Sequence, residues 1–152
     1  MTGCTVKELC AAVGGTLLQE SGAVVTEVST DSRSIPNRAL FIPLVGERFD
    51  GHDYLDAALE RGAAGCLTAR KPTSLLKDKF YIQVSDTLEA LKALAAWYRD
   101  RFAIPMVQVT GSAGKTTTKE MIAAVLSQRF STLKTQANFN NAIGTPMTLL
   151  NL

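Results

Sequence analysis

Thr110-Gly111-Ser112-Ala113-Gly114-Lys115-Thr116-Thr117, entered from the apolar run Met106-Val107-Gln108-Val109, is the stretch that decides the fold. The run from 106 to 110 reads as a strand, the two glycines as a tight loop, and 115–128 as a helix. The first N–H groups of such a helix and its dipole face the loop, so the natural guest is a polyphosphate. Lys115 would reach the outer phosphates, and the hydroxyl of Thr116 or Thr117 would hold Mg2+. The usual P-loop carries a glycine where this chain has Val109, which makes the loop a shortened variant, T-G-x-x-G-K-T-T. A plain glycine turn with a solvated lysine is the alternative. Two spaced glycines, the strand before them and three consecutive threonines weigh against it. Phosphate contacts are therefore expected at Gly111, Ser112, Ala113, Gly114, Lys115, Thr116 and Thr117, with Lys115 as the catalytic group.

Composition bounds the rest. The chain has 152 residues, 46% of them hydrophobic, enough to bury a core. Sixteen basic and fourteen acidic residues give a net charge of +2, with no basic cluster longer than a pair, so neither nucleic acid nor an anionic membrane is indicated. No apolar run approaches a membrane span and the N-terminus lacks a secretory pattern, so a soluble cytoplasmic protein is expected. Cys4, Cys10 and Cys66 have neither C-x-x-C nor metal-ligand spacing and read as reduced thiols.

Strand and helix signals alternate along the chain. Thr5 and Glu8 form a capping-box pair ahead of Val6, Leu9, Cys10 and Val13 at helical spacing, and Gly14-Gly15 ends that helix. Strands are expected over 24–30 and 39–45, the second touched by Pro43 and so at an edge or ending there. A helix over 52–61 stops at Gly62, and strands follow at 64–68 and 80–84. Asp86 then caps a long helix whose Leu88, Leu91, Ala95, Tyr98 and Phe102 share a face; Trp97 beside them reads as packing rather than base stacking. Ile104-Pro105 closes it. A boundary near 103 follows, giving parts 1–103 and 104–152. The second part reads as strand 106–110, helix 115–128, strand 131–135, an asparagine-rich segment and an apolar close. Met147, Leu149, Leu150 and Leu152 at helical spacing call for a partner surface that the chain is expected to lack. The second part is also short for a nucleotide-binding domain, so the chain is expected to be a truncated piece of a larger enzyme.

The loop at Thr110–Thr117 resembles the ATP-binding loop of the Mur ligases, the ATP-dependent amide-forming enzymes of peptidoglycan precursor synthesis. Asp31-Ser32-Arg33, with Leu40-Phe41-Ile42-Pro43-Leu44-Val45-Gly46-Glu47-Arg48-Phe49-Asp50-Gly51-His52, is similar to the UDP-sugar-binding domain of two of these enzymes. Asn138-Phe139-Asn140-Asn141-Ala142-Ile143-Gly144-Thr145-Pro146-Met147-Thr148-Leu149-Leu150 is similar to the branch that adds the terminal dipeptide. The resemblance spans about residue 5 to 152. It implies an α/β fold: a small N-terminal α/β UDP-MurNAc-peptide-binding domain over 1–103, then the first βαβ unit of the P-loop ATPase domain over 104–152.

On residues alone, Asp31-Ser32-Arg33 suits either a uracil or diphosphate grip or a turn whose side chains cap backbone N–H groups. The loop 46–51 suits either a pyrophosphate contact through its N–H groups and Arg48 or a turn with Asp50 as helix N-cap. His52 reads as a helix-start residue ahead of a catalytic base. Asn138, Asn140 and Asn141 suit turn chemistry or hydrogen bonds to a substrate. The resemblance tips Ser32, Arg33, Arg48 and the three asparagines toward substrate binding. It implies ATP and Mg2+ as cofactors, with the remaining Mg2+ ligands beyond residue 152. It further implies transfer of the γ-phosphoryl to the terminal carboxylate of UDP-MurNAc-tripeptide, then attack by the amine of D-alanyl-D-alanine. The full enzyme is expected to be monomeric and this piece alone inactive. Two other readings stay open, a ligase adding meso-diaminopimelate or lysine as the third residue, and a non-catalytic UDP-sugar-binding module.

Overall fold

The computed structural model describes residues 1–136 and 141–152. In chain order the elements are β1 (Cys4–Thr5), α1 (Val6–Val13), β2 (Thr16–Gln19), β3 (Val24–Val25), β4 (Val28–Ser29), β5 (Leu40–Phe41), a 3-10 turn (Gly51–Tyr54) leading into α2 (Leu55–Glu60), β6 (Gly65–Thr68), β7 (Phe80–Gln83), α3 (Thr87–Arg99), α4 (Lys115–Leu126) and α5 (Gly144–Leu149). Five strands form one sheet in the order β2-β7-β6-β5-β4. Strands β4 to β7 are parallel, and β2 pairs antiparallel with β7. A small antiparallel ribbon joins β1 to β3.

Strand alternation builds a core on each face of this sheet. Leu40, Ile42, Leu67, Phe80 and Ile82 point to one face, where Leu9 of α1, Leu91, Leu94 and Tyr98 of α3 and Leu150 after α5 close over them. Phe41, Cys66 and Tyr81 point to the other, under Leu55, Ala58 and Leu59 of α2. Burial on both faces is what parallel strands joined by helical crossovers require, and it explains why these segments read as near-continuous apolar runs.

Local chemistry sets the helix ends as the sequence indicates. Thr5 accepts the Glu8 N–H while the Glu8 carboxylate takes the Thr5 N–H at 2.8 Å, and Gly14 closes α1 in the left-handed region. Asp86 Oδ1 accepts the N–H groups of Leu88 and Glu89 at 2.7 and 2.9 Å. The expected α/β class therefore holds, but several segments differ. The strand expected over 24–30 divides, β3 joining the ribbon and β4 the main sheet. The strand over 39–45 is confined to Leu40–Phe41 and lies between β4 and β6, with Pro43 just past its end. Strand β2 carried no clear alternation and was not anticipated.

The second part departs most. Of the expected first βαβ unit only the helix forms, as α4; 106–110 and 131–135 make no ladder, because no neighbouring strand among the described residues offers them backbone partners. Met106, Val107, Phe130 and Leu133 are accordingly exposed. The C-terminal apolar residues, by contrast, do find a surface. Met147, Leu149 and Leu152 pack on the first core, Leu150 is buried in it, and the Tyr98 hydroxyl donates to the Leu152 carbonyl at 3.2 Å. The helical spacing of these residues holds, but the partner surface that the chain was expected to lack is supplied by α3, which cannot be seen from their own stretch of chain.

Candidate functional site

Because β4 to β7 run the same way, the segments after each leave at one edge of the sheet, where open α/β sheets take their ligands. Thr30 to Arg33 follows β4, Ile42 to Asp50 follows β5, and Ala69-Arg70 follows β6. This topology brings Ser32, Arg33 and Arg48 to the same edge although sixteen positions separate the first from the last.

Their commitments differ. Asp31 Oδ1 accepts the Arg33 N–H at 2.9 Å, and the guanidinium forks onto the same carboxylate, Nε to Oδ1 at 2.9 Å and Nη2 to Oδ2 at 2.8 Å. Those hydrogen bonds hold the Asp31 carboxyl down to about 2. Arg33 is thus a brace of its own turn. Ser32 uses its carbonyl to accept from Arg61 Nη1 at 2.7 Å, whereas its hydroxyl makes no hydrogen bond among the described residues. Arg48 is exposed and likewise unpaired among the described residues.

The loop that carries Arg48 is tightly built. Val45 and Asp50 pair across it, Gly46 N donates to Phe49 O and Gly51 N to Leu44 O, each at 2.9 Å. A Cβ at Gly51 would come within 2.7 Å of the Leu44 nitrogen, so only glycine allows this closure. Asp50 accepts the His52 N–H at 2.8 Å, as an N-cap does, and meets His52 Nδ1 at 2.6 Å. His52 Nε2 in turn accepts the Ala69 N–H at 3.0 Å, and Arg70 pairs with both Asp50 and Asp53. Burial raises the Asp50 carboxyl, but the His52 bonds and the Arg70 charge outweigh it and hold it below its ordinary value. Arg70 was not singled out from sequence. Its signal is topological, since adjacent parallel strands deliver residues 50 and 70 to the same place.

The glycine loop presents a different geometry. Gly111 and Gly114 take φ of 150° and 78°, and Gly114, left-handed, is the N-cap of α4 without any side-chain cap. Helices α1 and α3 have their first N–H groups filled by Thr5 and Asp86; those of α4 are left open, with no acidic residue in the first turn. Lys115 curls back to the Gly111 carbonyl, and Thr116 and Thr117 are exposed. An open helix start behind left-handed glycines with a lysine at its mouth suits phosphate oxygens. No cluster of three or more His, Cys, Asp or Glu able to hold a metal occurs among the described residues.

Asn141 Oδ1 accepts the N–H groups of Ile143 and Gly144 at 3.1 and 2.7 Å and so starts α5, while its amide NH2 makes no hydrogen bond among the described residues. Asn138 and Asn140 lie outside the described residues. No described helix is long and apolar enough to cross a membrane.

Two family models match the chain: "Mur ligase family, catalytic domain" over residues 24–99 and "Mur ligase middle domain" over 109–152. A UDP-N-acetylmuramoyl-tripeptide–D-alanyl-D-alanine ligase of Synechocystis is 49% identical over 84% of this chain and 28% of its own length. A crystal structure of MurF from Acinetobacter baumannii superimposes with a TM-score of 0.93 at 34% identity, covering all of this chain and 34% of that one. The MurF ligase from Thermotoga maritima in complex with ADP gives a TM-score of 0.74 at 35% identity over 82% of this chain and 28% of that one. The chain spans about a third or less of these relatives.

Proposed function

The chain belongs to the Mur ligase family, and from that premise we propose that it supplies the uridine-nucleotide grip and the ATP phosphate cradle of a ligase that adds D-alanyl-D-alanine to UDP-MurNAc-tripeptide. The observation that carries this reading is the open start of α4 behind Gly111 and Gly114, in a chain whose other long helices are capped by their own side chains. The ADP named in the T. maritima structure and the donor named in the Synechocystis relative support it. They favour the dipeptide over a single amino acid as the group added.

The roles divide as follows. Gly111 to Thr117 surround the phosphates through backbone N–H groups, and Lys115 neutralises charge on the transferring phosphoryl. Thr116 or Thr117 would hold Mg2+, which when bound supplies further charge neutralisation; the exposed hydroxyls fit that part, and acidic ligands would have to come from elsewhere. The Ser32 hydroxyl and the Arg48 guanidinium, without hydrogen-bond partners among the described residues, take the uridine diphosphate, while Arg33 braces the turn that presents Ser32. Asn138, Asn140 and Asn141 serve the substrate cleft, Asn141 through its amide NH2. The acceptor carboxylate would be activated as an acyl phosphate and then attacked by the dipeptide amine, giving the amide, ADP and phosphate. The division of labour is 1–103 for the UDP-sugar substrate and 104–152 for ATP, in a monomeric cytoplasmic enzyme.

Calorimetric titration of this chain tests the reading. UDP-MurNAc-tripeptide should bind with unchanged affinity in wild type and Lys115→Ala, whereas any Mg-ATP binding should be lost in Lys115→Ala. No binding of the uridine ligand would overturn the assignment of 1–103. Mixed with ATP and both substrates, this chain alone should form no amide.

A further inference from the structure

We propose that His52 is a positioning residue that staples the Arg48 loop to the segment after β6, so that the loop meets a nucleoside diphosphate already ordered. This rests on the reading of that loop as a substrate contact. The side chain of His52 is 4% exposed, and both ring nitrogens are used. A backbone N–H can only donate, so Nε2, facing the Ala69 nitrogen at 3.0 Å, is the acceptor. The proton therefore sits on Nδ1 and is donated to Asp50 Oδ1 at 2.6 Å. A ring so committed on both sides has no free nitrogen for proton transfer to a substrate.

What the ring does instead is join two loops. Asp50 closes the Val45–Asp50 pairing, and Ala69-Arg70 belongs to the neighbouring strand's exit; His52 spans them through its two nitrogens, and Arg70 spans them again through its ion pair with Asp50. The carboxylate of Asp50 thus collects three donors, the His52 N–H, His52 Nδ1 and Arg70 Nη2. At the loop's tip, Glu47, Arg48 and Phe49 are left exposed, with Phe49 laid across Gly46. An ordered base under an exposed guanidinium is the arrangement that lowers the ordering cost of binding an anion.

A double-mutant cycle on this chain, read by calorimetric titration with UDP, tests it. Arg48→Ala should weaken UDP binding. His52→Asn keeps a donor for Asp50 but loses the acceptor for Ala69, and should weaken binding about five- to tenfold, the scale of re-ordering a short loop on binding. In the His52→Asn background, Arg48→Ala should cost much less than in wild type, because the guanidinium is no longer held in place. His52→Gln, whose amide oxygen can accept from Ala69, serves as the conservative rescue and keeps the test usable if His52→Asn does not fold. Wild-type affinity in His52→Asn, or a full-sized Arg48→Ala effect in both the wild-type and His52→Asn backgrounds, would overturn the staple while leaving the loop as a contact. No effect of Arg48→Ala in wild type would overturn the loop reading, and the staple's purpose with it.

Discussion

Helices α3 and α4 are nearly the same length, thirteen and twelve residues, yet they lead different lives. The first is capped by Asp86 and buries Thr87, Ala90, Leu91, Leu94, Ala95 and Tyr98; the second starts uncapped and buries only Ala123. Met121 and Val125, which the sequence pattern makes apolar, stand 66% and 72% exposed. The difference teaches that propensity forms a helix while neighbours decide what it buries. It also teaches where to look for function. The helix whose first N–H groups have no side-chain cap among the described residues is the one proposed to take a phosphate.

The largest effect that can break this comparison is a core truncation. Leu94→Ala in α3 should destabilise the chain by about 2–5 kcal/mol in chemical denaturation, whereas Val125→Ala in α4 should stay within about 0.5 kcal/mol. Equal losses would mean that α4 is packed after all. Next in size, Asp86→Ala should cost about 1 kcal/mol by removing the acceptor for two N–H groups.

A gain of about 1 kcal/mol is expected from Arg38→Gly, since Arg38 sits at φ 62° in the left-handed region where a Cβ is strained. A loss in the melting temperature of that variant would show that the Arg38 side chain compensates elsewhere. The smallest effect is acid dependence. Hydrogen bonds from Arg33 lower the Asp31 carboxyl from 3.8 to about 2 in the folded chain, so the unfolded chain binds more protons in this window. Stability from this turn is therefore complete above about pH 4 and lost as pH falls toward 2, and Asp31→Asn should flatten that part of the profile.

The fold was legible where the chemistry is local. The capping box at Thr5 and Glu8, the Asp86 cap, the glycine stops at Gly14 and Gly62 and the apolar runs of β6 and β7 all state their structure within a few residues. The strand expected at 106–110 has the right residues, but a strand is a pairing, and its partners are not among the described residues. The packing of α5 on α3 was equally hidden, because the two lie some fifty residues apart in sequence. Of the candidate site, the glycine loop could be read directly. That Arg33 is tied to Asp31 while Arg48 has no partner among the described residues could not, since both are arginines in polar loops and only geometry separates them. The Asp50, His52 and Arg70 cluster depends on strand order, which no local pattern records.

Amide hydrogen exchange of this chain, alone and with UDP or Mg-ATP, tests the central claim most directly. Alone, α3 should exchange slowly and α4 fast. UDP should protect 31–33 and 45–51 and leave 111–118 unchanged, while any protection by Mg-ATP should fall on 111–118. Protection of 111–118 by UDP, or none at 31–33 and 45–51, would contradict the assignment of two separate nucleotide grips.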